Sequence, residues 1–331
     1  MKKLITLALV FVSLGLAQNK KIVAPGMSAK LAQEIQASVP NVTILTGRGP
    51  DVAKEIVDAD AVIGGIRPEL FRTAKKLKWV HVSSAGVEKD LFPELIDSDV
   101  VVTNAKNIYG PQIADHAFAF LLALTRKLNQ TIPKQGLEEW GGGREGMFEL
   151  NGKTAVIIGI GGIGSQIAQR AHGFGMKVIG VDIRDMPPSV EVSRVVPPDQ
   201  LDSVIPLADV VFISAPHTAK SEGMMGSKEF ELMKKGSYFI AVSRGKVYNT
   251  GGLVKALDEG RLAGAGVDVV DPEPLPKGHP LWKFKNVIIT PHTAGGSDNL
   301  ATRNDALITE NIRRFAAGKT LMNVVNKKEG F

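Results

Sequence analysis

The sequence predicts an α/β protein built as two doubly wound parallel-sheet domains. Three observations carry that reading. From Lys21 onward, short apolar runs alternate with amphipathic stretches, as strands joined by helical crossovers do. At mid-chain the apolar run Ala155-Val156-Ile157-Ile158 leads into a G-x-G-x-x-G, Gly159 to Gly164, and then into a helix pattern with Ile163, Ile167 and Ala171 spaced by four. With 331 residues, the chain is too long for one small domain and natural for two.

Composition sets bounds on function. Apolar residues make up 44% and charged residues 22%, ordinary for a globular protein. The net charge of +6 comes from scattered basic residues and does not point to nucleic acid. The chain has no cysteine, which excludes disulfides, zinc–thiolate sites, thiol nucleophiles and a lipoprotein anchor. Met1-Lys2-Lys3, the apolar run Leu4 to Leu14 and the small residues Gly15 and Ala17 have the form of a secretory signal peptide over residues 1–17. It is short for a transmembrane helix, so no stable membrane anchor is expected. The expectation is an exported, periplasmic protein, or a cytoplasmic one if the signal is not used. The bland alternative is a buried first strand or helix.

Strands are expected at 21–24, 42–45, 61–64, 79–83 and 100–103, with helices at 29–37 and 51–59 between them. This first unit has no dinucleotide fingerprint. Its informative loop is Ser84-Ala85-Gly86-Val87, directly after a strand, where open α/β sheets bind ligands. It reads either as an anion-binding loop with exposed N–H groups or as an ordinary turn. Residues 113–128 form a long apolar helix, either a core helix or a subunit contact. Residues 129–149, with Pro133 and Gly141-Gly142-Gly143, read as a long exposed connection.

In the second unit the fingerprint carries specific jobs. Gly159 allows the tight turn, Gly161 lets the backbone approach a pyrophosphate, and Gly164 lets helix and strand pack closely. The helix N-terminus offers free N–H groups to phosphate. The next run, Val178 to Val181, ends in Asp182, placed to accept hydrogen bonds from an adenosine ribose. A carboxylate there repels a 2′-phosphate, so NAD(H) is favoured over NADP(H), with Arg184 two residues on as a partial offset. Further strands are expected at 210–214, 238–242, 265–269 and 287–290, with helices at 253–259 and 298–317. The last helix is long enough to cross back to the first domain.

Arg244, Glu273 and His292 fall just past the ends of three of these strands, on the edge where a dinucleotide would lie. Each alone reads as a surface or loop residue. Together they suit a 2-oxo acid: arginine as a planar carboxylate clamp, histidine as the proton donor to a ketone, and a carboxylate to orient the imidazole.

The segments SSAGVEKD (83–90), VVVTNAKNIYGPQIADHAFAFLLALTRKL (100–128), GIGGIG (159–164), SRGKVYNTGGLVKAL (243–257) and AGAGVDVVDPEPLPKGHPLWKFKNVIITPH (263–292) resemble the D-isomer-specific 2-hydroxyacid dehydrogenase family, including its glyoxylate/hydroxypyruvate reductase-like and phosphoglycerate dehydrogenase-like members. The resemblance covers nearly all of the chain from about residue 20. It implies an NAD-binding Rossmann domain at 106–293 and a flavodoxin-like substrate domain formed by 18–105 plus 294–331. It implies an NAD-dependent oxidoreductase acting on the CH–OH group of a small 2-hydroxy acid. Arg244 would bind the substrate carboxylate and 2-oxo group, His292 would be the general acid/base, and Glu273 its partner. Ser84, Ala85, Gly86 and Val87 would hold the carboxylate. Gly162 and Ile163 would contact the pyrophosphate, Ala215 and Pro216 the adenine side, and Val242, Ser243 and Asp268 the nicotinamide. A homodimer through the 113–128 helix is expected, and Tyr109 and Trp282 are pocket-wall candidates.

His217, Lys220-Ser221, Asp115, Tyr248 and Gly251-Gly252 depart from the usual pattern, and none is one of the three catalytic positions. Two other readings stand beside the leading one. A formate- or phosphite-type dehydrogenase is disfavoured by Glu273, where formate-oxidising relatives carry glutamine. An NAD(H)-sensing binding protein keeps the same three residues and is separated only by turnover. An unfolded-chain export signal on a dinucleotide enzyme is a conflict in its own right.

Overall fold

The computed structural model describes residues 19–47, 50–143 and 145–331. The expected signal peptide lies outside them. Strands β1 (Lys20–Val23), β2 (Val42–Leu45), β3 (Ala61–Ile63), β4 (Trp79–Val82) and β5 (Val101–Asn104) form one sheet, ordered β2-β1-β3-β4-β5. Strands β6 (Thr154–Ile158), β7 (Lys177–Val181), β8 (Arg194–Val196), β9 (Val210–Ile213), β10 (Ser237–Ala241), β11 (Leu262–Val267) and β12 (Val287–Ile289) form a second, ordered β12-β11-β10-β9-β6-β7-β8. Every pairing in both sheets is parallel. The two expected parallel-sheet units are therefore present.

Both faces of the second sheet are covered, which explains its nearly continuous apolar strands. Val156, Ile158, Val211, Ile213 and Phe239 face one layer. Ala155, Ile157, Val210, Phe212 and Ile240 alternate with them and face the other. Strand order reverses at β6 and β9, so the ends of these two strands frame a crevice.

The helix expected at 113–128 runs from Gly110 to Thr125. It stops there because Lys127 takes a left-handed conformation, φ 57°. Ile113, Ala117, Phe120, Leu121 and Leu124 are buried in the second layer, so core packing accounts for its apolarity. Residues 129–149 are not wholly an open connection. Leu128–Gln135 is helical with Pro133 inside it, and Asn129 Nδ2 ties it to Lys285 O at 2.8 Å. The final helix, Leu300–Ala316, packs Ile308 and Ile312 with Ile22, Ile35 and Trp79 of the first sheet. The chain beyond it stays there, with Val325 N donating to Val102 O. Among the described residues, no helix is long and apolar enough to cross a membrane.

Candidate active site

The fingerprint loop sits where the strand order reverses. At Gly159, φ is +92° and a Cβ would lie 2.6 Å from the Ala215 backbone. At Gly164 a Cβ would lie 1.9 Å from Gly159 O. Side chains are barred at both positions by neighbouring backbone. Gly161 differs, since a Cβ there meets nothing within 4 Å and opens onto free space. The helix Gly162–Gly173 begins at that opening, and its first N–H groups, on Gly162 and Ile163, have no intrahelical acceptor. Ala215 and Pro216 follow β9, and Val242 and Ser243 follow β10, on the same edge. Ser243 Oγ is buried and has no hydrogen-bond partner among the described residues. An open backbone cradle at a helix N-terminus and an orphaned hydroxyl further along the edge suit a dinucleotide with its pyrophosphate at Gly161.

Asp182 stands at the end of β7 as expected, but its carboxylate is occupied. Oδ2 accepts from Ile160 N (2.8 Å) and Arg184 Nη2 (3.0 Å). Oδ1 accepts from Arg184 N (3.0 Å) and Nε (2.9 Å). A carboxylate has about four lone-pair sites, so its accepting capacity is filled. Burial pushes its pKa up, but the Arg184 and Ile160 hydrogen bonds outweigh this and hold it below the usual carboxylate range.

On the adjacent strand ends, Glu273 and His292 meet. His292 Nδ1 lies 2.9 Å from Glu273 Oε2, and Glu273 Oε1 accepts from Val270 N at 3.2 Å. His292 takes a left-handed backbone, φ 55°, with its N–H donating to Asp268 O at 2.9 Å. Asp268 is buried, and its carboxylate accepts from Thr290 Oγ1 (2.5 Å), Thr293 N (2.8 Å) and Ala294 N (3.0 Å). His116 Nε2 joins this network at Thr290 Oγ1, 2.9 Å away. The Asp268 carboxylate thus holds the turn that presents His292.

Arg244 reaches across to the first unit. Its Nε donates to Glu88 Oε1 at 2.6 Å and its Nη1 to Ser243 O at 2.8 Å. Its Nη2 lies over Gly86, where a Cβ would come within 2.2 Å. The loop Ser84-Ala85-Gly86-Val87 is braced from below. Asn104 Nδ2 donates to Ala85 O (2.6 Å), Ser84 Oγ to Gly86 O (2.6 Å) and Tyr109 Oη to Ser83 O (3.0 Å). Loop and arginine therefore share one cleft. Trp282 does not join them; it lines a groove beside β12 with Asn129 and Val287–Ile289.

Sequence reasoning gave no role to Glu88, Asn104, His116 or Thr290. Their signals were faint: an acid within SSAGVEKD, an asparagine ending a strand, and a histidine inside an apolar helix.

A family model described as D-isomer specific 2-hydroxyacid dehydrogenase, NAD binding domain, matches residues 118–294. A glyoxylate reductase of Korarchaeum cryptofilum is 32% identical over 288 residues, covering 84% of this chain and 86% of that protein. The crystal structure of a D-isomer specific 2-hydroxyacid dehydrogenase family protein from Aeromonas salmonicida superposes with a TM-score of 0.78 at 29% identity, covering 94% of this chain and all of that one. A family member from Xanthobacter autotrophicus, solved with NADPH and MES, gives 0.78 at 25% identity over 95% of this chain and all of that one. With a match over more than half its length and relatives that align nearly end to end, the chain belongs to the D-isomer specific 2-hydroxyacid dehydrogenase family and is an oxidoreductase.

Proposed function

We propose that this protein interconverts small 2-oxo acids and D-2-hydroxy acids with a nicotinamide dinucleotide. The observation that carries this reading is one cleft edge holding the Glu273–His292 pair at 2.9 Å and, past the neighbouring strand, Arg244 laid over Gly86. The bound dinucleotide supplies a hydride to the substrate carbon in one direction and accepts it in the other. Gly161, Gly162 and Ile163 would hold its pyrophosphate, and Val242 and Ser243 would line its nicotinamide end.

The chain's own residues do the rest. Arg244, anchored by Nε to Glu88 and by Nη1 to Ser243 O, turns Nη2 toward Gly86 and binds the substrate carboxylate together with the N–H groups of Ala85, Gly86 and Val87. With Nδ1 directed at Glu273, His292 leaves Nε2 for the substrate oxygen. As the imidazolium it donates that proton to the forming alkoxide; as neutral imidazole it takes the hydroxyl proton in the reverse reaction. Glu273 stabilises the charged ring and fixes its orientation. Asp268, Thr290 and His116 hold the turn in place.

Relatives named glyoxylate reductase make glyoxylate the first acid to assay, followed by hydroxypyruvate and pyruvate. A homodimer is part of the proposal, with its contact placed at Leu128, Ile132, Leu137 and Trp140, which expose apolar side chains on and after the Leu128–Gln135 helix. The test is consumption of reduced dinucleotide against this panel, with sedimentation velocity on the same sample. Rapid turnover of one acid is expected. Dinucleotide binding without turnover of any acid would favour the sensor reading instead.

A further inference from the structure

Resting on the 2-oxo acid reading above, we propose that Asn323, in the segment after the last helix, is a positioning residue for the substrate. Through the turn from Asn104 to Lys106 it fixes the direction of the N–H groups of Ala85, Gly86 and Val87, which would hold the substrate carboxylate.

The first observation is the way this loop is pinned. Ser84 O accepts from Ala105 N at 3.0 Å, Ala85 O from Asn104 Nδ2 at 2.6 Å and Gly86 O from Ser84 Oγ at 2.6 Å. A trans peptide is planar, with its C=O and N–H on opposite sides. Pinning these three carbonyls therefore turns the N–H groups of Ala85, Gly86 and Val87 away from the brace. None of the three has an acceptor among the described residues. Two of the three pins come from Asn104 and Ala105, so the loop is only as well placed as that turn.

The second observation is what holds the turn. Strand β5 is the edge of its sheet, and the chain after the last helix covers that edge. Val325 N donates to Val102 O at 2.8 Å, and Val324 forms an antiparallel bridge with Thr103. At the strand end Asn323 takes over. Its O accepts from Asn104 N at 3.2 Å. Its Nδ2 donates to Lys106 O at 2.7 Å and to Asn104 O at 3.3 Å. Within the turn, Asn104 Oδ1 accepts from Lys106 N at 3.3 Å. One side-chain amide thus spans both ends of the turn that carries the two pins.

The third observation is that Asn323 is itself fixed. Its backbone is left-handed, φ 55°, which asparagine tolerates better than most side chains. The preceding residue, Met322, is gripped from both sides by Asn311, fully buried on the last helix. Asn311 Oδ1 accepts from Met322 N at 2.7 Å, and its Nδ2 donates to Met322 O at 3.1 Å. The placement of the loop is thereby tied to the packed helix Leu300–Ala316. Asn323 Oδ1 lies 3.5 Å from Asn107 Nδ2, the limit of a hydrogen bond, so its main hold is on the substrate loop and not on the dinucleotide cradle.

The experiment compares the full protein with two variants. Asn323→Gly keeps the left-handed backbone without strain and removes the amide. Asn323→Asp keeps the shape but turns an oxygen toward the two carbonyls. Three quantities are read well below each melting temperature. They are KM and kcat for the acid of the panel above that the wild type turns over fastest, the Kd for NADH, and hydrogen exchange of the segment 83–90. In both variants KM is expected to rise about fivefold or more, as loss of one or two hydrogen bonds allows. The fall in kcat is expected to be less than about threefold, since Arg244 and His292 stand on other strands. The Kd for NADH is expected to stay within about twofold, and segment 83–90 to exchange faster. A lowered melting temperature with unchanged KM and unchanged exchange at 83–90 is the mark of a merely structural residue and overturns the proposal while the 2-oxo acid reading stands. A wild type that turns over no acid of the panel overturns that reading and the positioning role with it.

Discussion

Glu88 occupies one edge of the arginine proposed to clamp the substrate. Its carboxylate takes Arg244 Nε at 2.6 Å, with side chains 29% and 31% exposed. Burial raises the pKa of Glu88, but the hydrogen bond and charge of Arg244 prevail and hold it below the usual range. The stabilisation from this link between the two units is therefore full above the ordinary glutamate pKa of about 4.3 and is lost only as pH falls through the lower folded value. At neutral pH a bound substrate carboxylate meets a second anion across one guanidinium, on the order of 6 Å away. With an effective dielectric of roughly 20 to 40, that repulsion is about 1.5–3 kcal/mol. Glu88→Gln removes it while leaving an amide oxygen for Nε, at a loss of about 1 kcal/mol from the weaker hydrogen bond. The expected result is a KM for the 2-oxo acid lower by about tenfold and a kcat reduced less than about fivefold. Glu88→Ala also removes the acceptor, frees Arg244 to rotate, and should lower kcat by more than about tenfold. Steady-state kinetics at saturating reduced dinucleotide reads both constants. A KM that rises or stays unchanged in the glutamine variant would refute the electrostatic reasoning.

Three further predictions follow from the same geometry. His292→Ala should reduce kcat by about 10²–10⁴, the usual contribution of general acid–base catalysis, and a near-wild-type rate would remove His292 from the mechanism. Gly161→Ala and Gly164→Ala should part company: the first has open space and should keep its melting temperature while losing dinucleotide affinity, whereas the second drives a methyl into Gly159 O and should lower the melting temperature itself. His81 is buried on β4 with Nδ1 at Thr103 Oγ1 and Nε2 unpartnered among the described residues, and burial lowers its pKa from 6.5 to about 4. Because the unfolded state binds the proton more readily, stability should be full above pH 6.5 and erode toward pH 4 by up to about 3 kcal/mol. Melting curves at several pH values should show that slope in the wild type and a smaller one in His81→Phe.

The sequence reading succeeded where structure is set by local necessity. A glycine demanded by its own loop, as at Gly159 with φ +92° and at Gly164 against Gly159 O, is visible in a spacing of a few residues. Strand ends were legible because buried strands are runs of apolar residues, so Arg244, Glu273 and His292 could be placed on one edge. The losses have physical causes too. Strand β8 is three residues long, begins with a charge and is followed by prolines, so it carries no period to read. The Leu128–Gln135 helix contains a proline and is held by a tertiary hydrogen bond to Lys285. Glu88 and Arg244 are 156 residues apart, and nothing in either neighbourhood announces the other. At Asp182 the residue and its place at the strand end were legible, but the Arg184 hydrogen bonds to its oxygens were not, since they depend on the turn carrying Arg184 back over the strand end.

Those last two pairs obey one design. In each, an arginine at a strand end facing the cleft is held on its inner edge by an acid: Arg244 by Glu88, and Arg184 by Asp182. An unpaired arginine would attract the anion more strongly but would have to be ordered on every binding event, at up to about 1.5 kcal/mol for a side chain this flexible. The acid fixes the guanidinium beforehand and offsets part of its charge. The same acid therefore weakens ground-state attraction and sharpens position. For Arg244 position matters most, because a clamp that swings misplaces the ketone against His292, and misplacement of about 1 Å can cost a hundredfold in rate. For Arg184, beside the dinucleotide cradle, no bond is made or broken, so its pairing should affect dinucleotide affinity and leave the rate of the chemical step alone. The two pairs should thus separate in kinetics, Glu88 variants moving both kcat and the KM for the acid, and Arg184 variants moving only the constants for the dinucleotide.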